Sequence, residues 1–133
     1  KLKEEDSSIK IEMPQQYLYE PSPAIMKAGL FKQLAQKFQL SKLHPNTQLF
    51  TSNVIKVDFP GRVFKIENQI AAQKRELRKL VPEMKANLAS RNFPMPIAQL
   101  KKKLGLKDGG EHYLFATTLK GEEKALLICE KVK

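Results

Sequence analysis

The stretch from Tyr113 to Cys129 constrains the fold more than any other part of the chain. Tyr113, Phe115, Thr117 and Leu119 alternate with Leu114, Ala116 and Thr118, and Ala125 to Cys129 is an unbroken apolar run. Gly121 and its charged neighbours separate the two, so the stretch reads as a β-hairpin with both faces buried. Together with the helical patterns upstream, it predicts an α+β fold: a mixed or antiparallel sheet, about three helices and a C-terminal β-hairpin.

Strand and helix patterns alternate before it. After a polar lead-in, Ile9, Ile11 and Met13 have the period-2 spacing of a strand that Pro14 closes. Tyr17 to Pro23 is extended, and Ser22 or Pro23 starts a helix. Met26, Leu30, Leu34 and Phe38 recur every four residues, which predicts one long amphipathic helix from Ala24 to Phe38 with Gly29 inside it. Leu40, Leu43 and Pro45 mark a turn-rich connection, and Gln48 to Ser52 a short strand. Phe59-Pro60-Gly61-Arg62 suits a type II turn with positive φ at Gly61. The second half then runs β-α-β-α-β-β. Its strands start near Val63 and Met84, and its helices bury Leu77 and Leu80, then Ile97, Leu100 and Leu104, with Asp108-Gly109-Gly110 as a turn.

A chain of 133 residues fits one domain with a sizeable core. The longest uninterrupted aliphatic run near the end is Ala125 to Cys129, too short for a membrane-spanning helix. A single cysteine, Cys129, in an apolar strand pattern suits a reducing, cytoplasmic setting. The chain starts at Lys1 without an initiator methionine or a signal-like segment, so a longer parent protein is expected.

Charge supplies the functional signal. The net charge is +10, and the excess sits between Ile70 and Lys107, where ten lysines and arginines face only Glu76 and Glu83. Such a local excess fits an anionic partner, most simply nucleic acid. Lys74, Arg75, Arg78, Lys79, Lys101, Lys102 and Lys103 are candidates to contact phosphate, and Arg62 and Arg91, near Phe93, are candidates for closer contact. Read blandly, the same residues are two solvated helix faces.

Several separated blocks resemble a known family. Tyr17-Leu18-Tyr19-Glu20-Pro21, Ala24-Ile25-Met26-Lys27-Ala28-Gly29, Leu43-His44-Pro45-Asn46, Asp58-Phe59-Pro60-Gly61-Arg62-Val63-Phe64, Arg91-Asn92-Phe93-Pro94 and Leu106-Lys107-Asp108-Gly109-Gly110, with Tyr113 to Thr118, together resemble the THUMP-like C-terminal domain of bacterial class I S-adenosylmethionine-dependent methyltransferases. The resemblance implies a THUMP-like domain over residues 17–133 and, over 1–16, a lead-in from a preceding methyltransferase domain. It implies an accessory role in holding tRNA or rRNA, with S-adenosylmethionine bound by the rest of the parent protein. Tyr17 and Tyr19 are candidates for contact with that catalytic domain, or for packing of a lead-in strand. The alternative function is a docking module that stabilises the catalytic domain or a dimer without touching RNA.

No catalytic, cofactor-binding or metal-binding residue is assigned. The glycine-rich loop of a Rossmann-like methyltransferase is missing, and Gly109-Gly110 leads into a strand rather than a helix. His44 and His112 lack any Cys-x-x-Cys companion. Glu20 could be read as a catalytic carboxylate, but bonding to local backbone amides is the expected role.

Overall fold

The structure is a computed structural model that describes residues 9–133; the lead-in read over Lys1 to Ser8 lies outside them. Its elements are β1 (Tyr17–Pro21), α1 (Pro23–Ala28), α2 (Phe31–Phe38), β2 (Ser41–His44), β3 (Thr47–Ser52), β4 (Gly61–Ile70), α3 (Lys74–Leu80), β5 (Lys85–Arg91), α4 (Ile97–Leu104), β6 (Lys107–Thr118) and β7 (Lys124–Lys131). The strands form one sheet in the order β2-β3-β1-β4-β7-β6-β5, parallel only between β5 and β6. The expected α+β class, mixed sheet and C-terminal hairpin are present, with β6 and β7 antiparallel from His112 opposite Glu130 to Thr118 opposite Lys124.

Alternation along the strands sorts the core into two faces. Tyr19, Phe50 and Val63 point outward to α1 and α2, where they meet Phe31, Leu34 and Phe38. Leu114, Ala116, Leu126 and Ile128 point outward to Leu77 of α3 and Leu100 and Leu104 of α4. The other face carries Leu18, Leu43, Leu49, Phe64, Phe115 and Leu127, each at most 1% exposed although no α-helix among the described residues packs on it. The sheet covers this face by curling until its two edges meet. Thr47, beside edge strand β2, accepts from Asn92 Nδ2 at 3.1 Å just past edge strand β5, and donates to the Thr118 carbonyl at 2.8 Å. Phe64 and Phe115 fill the interior edge-to-face, with ring centroids 5.0 Å apart. Burial there pushes the Cys129 thiol well above its ordinary range, which disfavours the thiolate.

Several local expectations change. The long helix is two: Gly29 adopts φ 68° and ends α1, so Met26 and Leu30 stay exposed while Leu34 and Phe38 of α2 are buried. Ser22 caps α1 and Pro23 opens it, as expected. The connection around Leu43 is edge strand β2. Only an isolated bridge, Ile11 to Lys42, remains of the first strand, but Ile9 is buried in the α1–α2 core, so the chain is anchored well before Tyr17. Leu80 and Ile97 are exposed, and α3 and α4 bury only Leu77, Leu100 and Leu104. Asp108-Gly109-Gly110 is part of β6, where Gly109 and Gly110 at φ 108° and 84° carry a large bulge opposite Ala86 and Asn87.

Gly61 is not in the left-handed region, so the type II turn does not form. Its N–H donates to Phe59 O at 3.0 Å in a three-residue turn, and β4 begins immediately. Glycine is required by space: a Cβ would stand 2.1 Å from the Glu20 carbonyl oxygen and 2.8 Å from the Phe59 ring. Gly61→Ala is therefore expected to cost about 2–3 kcal/mol by forcing β1 and β4 apart, measured as a lowered urea midpoint.

Candidate nucleic-acid interface

Helix α3 is short because few of its residues can be buried. Leu77 alone is anchored, and Lys74, Arg75, Arg78 and Lys79 are left on the surface, where they line a cleft of about 460 Å³. Lys74 reaches across to α4, its Cε 3.0 Å from where a Cβ on Gly105 would stand. On α4 the spacing of Leu100 and Leu104 turns Lys102 and Lys103 outward, and both are exposed. Lys74 thus links the basic side of α3 to the C-terminal end of α4. Lys101 differs: its Nζ is 2.8 and 2.9 Å from the Asp108 carboxylate, which offsets its charge.

Arg62 and Arg91 stand apart from this surface. Glu20, Arg62 and Arg91 share the inner face with Leu18, Phe64 and Ala89 by strand alternation, and they close one mouth of the curled sheet. Glu20 Oε1 accepts from Arg62 Nε at 2.8 Å and Nη2 at 2.7 Å; Oε2 accepts from Arg91 Nε at 3.0 Å and from Arg91 Nη2. The carboxylate is only 12% exposed, so two guanidiniums replace its lost water. The backbone amides expected for Glu20 are not its partners. The Arg62 guanidinium also lies over the Phe64 and Tyr113 rings at 5.2 and 5.8 Å.

A polar clasp lies next to this triad. Asn92 takes a left-handed φ of 58°, which asparagine tolerates, and directs its amide to Thr47. His44 is buried, accepts the Asn46 N–H at Nδ1 (3.0 Å) and therefore donates from Nε2 to Glu122 Oε2 at 2.7 Å. That bond holds the Glu122 carboxyl below the usual carboxylate range. A carboxyl depressed by folding adds stability above its unfolded pKa, and this is lost as pH falls through the folded value. Glu122→Gln is thus expected to be less stable than the parent chain near neutral pH. The gap in urea midpoint should close below roughly pH 4.

The tyrosines divide. Tyr19 has no exposed surface, and its hydroxyl accepts the Lys56 N–H at 3.1 Å and lies 2.8 Å from Ser52 Oγ, so contact with another domain is not available to it. Tyr17 is half-buried against the α1–α2 core. His112 Nε2 is 3.2 Å from Glu83, remote in role from His44. Sequence reading missed both the triad and the clasp. Their signal was the set of motif blocks themselves, since Glu20, His44, Arg62 and the adjacent Arg91 and Asn92 come from four separate blocks and converge at one end of the sheet.

Residues 17–60 match a family model described as a ferredoxin-like domain, and residues 61–131 match one described as THUMP domain-like. The chain belongs to the THUMP domain-like family. Its THUMP-like half begins at Gly61, yet the sheet is continuous across that boundary, because β1 pairs with both β3 and β4. A similar solved structure is the crystal structure of a "putative methyltransferase" from Porphyromonas gingivalis W83, with TM-score 0.85 and 40% identity over 98% of this chain. The THUMP-like chain spans 33% of the length of that protein. No curated protein matches the sequence.

Proposed function

We propose that this is the RNA-holding domain of an S-adenosylmethionine-dependent methyltransferase that modifies tRNA or rRNA in the cytoplasm, with catalysis supplied by the rest of the parent protein. The observation that carries this reading is the basic cleft on α3, lined by Lys74, Arg75, Arg78 and Lys79, together with the exposed Lys102 and Lys103 of α4, whose C-terminal Gly105 Lys74 approaches. Successive phosphates can be neutralised along such a surface, with release of their condensed counterions. The THUMP-like family and the similarity to a chain described as a methyltransferase support the same reading. The residues here do not fit the cofactor: Gly109 and Gly110 lie within β6 against Lys85 and precede no helix, so they form no nucleotide loop. No helix among the described residues is long and apolar enough to cross a membrane.

The docking reading keeps the half-buried Tyr17 and gains other residues. Met26, Leu30, Val54 and Val57 are exposed around the α1–α2 end, where a pocket of about 260 Å³ opens between Leu34, Phe38 and Pro60. Such a surface suits contact with a catalytic domain. The two readings differ in what RNA does. Fluorescence anisotropy with labelled bulk tRNA, titrated in salt and compared with duplex DNA, should give binding whose logarithm falls steeply with log salt and which outlasts the DNA signal. Absence of binding at low salt would leave docking as the role of this chain.

A further inference from the structure

A pocket of about 490 Å³ opens at the mouth of the curled sheet, separate from the α3 cleft. Arg62 and Arg91 form its polar side with Glu20 between them, and Pro21, Pro23 and Met26 form an apolar wall. We propose that this pocket binds a nucleotide through a terminal phosphate, with the flat base against the apolar wall.

The charge count favours an anion, since two guanidiniums meet one carboxylate. Glu20 draws on Nε and Nη2 of each arginine, and the Ser90 carbonyl takes Arg91 Nη1 at 2.9 Å, which leaves Arg62 Nη1 and further N–H groups for a ligand. The side chains of Arg62 and Arg91 are 40% and 34% exposed, so these donors are reachable, and Glu20 holds both forks in place beforehand. Ser22 also lines the pocket; its Oγ accepts the Ile25 N–H at 3.4 Å, so its O–H can donate. A phosphate presents several equivalent oxygens to donors arriving from two side chains, whereas a carboxylate is satisfied by one fork. The volume lies in the range of small-molecule sites. Free nucleotide and the 5′-phosphate end of an RNA share this chemistry.

The test is titration of the chain with AMP, followed by the arginine Nε–H resonances in NMR and by calorimetry. The Arg62 and Arg91 signals should shift on adding AMP and not adenosine. Arg62→Lys with Arg91→Lys, which conserves charge, should weaken AMP by about tenfold or more because the fork is lost, whereas Lys102→Glu with Lys103→Glu should leave AMP affinity nearly unchanged. Unmoved Arg62 and Arg91 resonances in the parent chain would overturn the proposal even if the lysine variant failed to fold. Equal affinity for adenosine, or for benzoate, would overturn it too. A gain in affinity for a 5′-phosphorylated over a 5′-hydroxyl oligoribonucleotide would support the RNA end as source; AMP binding without that gain would support the free nucleotide. Either holds whether or not the α3–α4 surface binds RNA.

Discussion

Replacing Arg75, Arg78 and Lys79 together by glutamate is expected to weaken RNA binding by about two to three orders of magnitude at low salt. All three are exposed, line the α3 cleft, and form no hydrogen bond or ion pair among the described residues, so the folded state loses little with them. Each lost phosphate contact should also lower the salt slope by about one unit. The measurement is salt-titrated anisotropy beside a thermal melt. A flat affinity with an unchanged melt would remove α3 from the interface. The same substitution on Lys101 is a weaker probe, because Asp108 already offsets that charge.

Phe64→Ala is expected to destabilise the chain by about 3–5 kcal/mol. Phe64 is fully buried, packs edge-to-face on Phe115 and lies 5.3 Å from the Tyr113 ring, on the sheet face that no α-helix among the described residues covers. If that face were open to water, removing the ring would cost little. The curled sheet makes it the centre of a closed interior, and the cavity left there is walled by hydrogen-bonded strands that cannot easily move in to fill it. Urea unfolding should show a large drop in midpoint, whereas Val57→Ala, at a residue 60% exposed, should change stability by less than about 0.5 kcal/mol. Similar midpoints for the two variants would mean that the sheet does not close.

The basic surface was legible because charge and helical period are local: Leu77, Leu100 and Leu104 anchor α3 and α4, and the lysines and arginines between them have nowhere to go but solvent. Gly29 was misread as a helix interior because period-four spacing continues across it, while the break depends on its left-handed φ. That Arg62 and Arg91 share one carboxylate was not legible, since nothing near either of them in the chain shows that Glu20 lies between them.

By itself, then, the sequence determined the α+β class, the order of elements from β4 onward, the buried hairpin and the location of excess charge, all properties of residues within a few positions of one another. Only the tertiary structure decided how the sheet curls, that Tyr19 is enclosed, and that Glu20, Arg62 and Arg91 meet at one mouth beside His44 and Asn92. Those contacts join residues as many as 71 positions apart. Their pairing follows from strand order and from the need of a buried carboxylate for compensating donors, neither of which leaves a periodic trace in the chain.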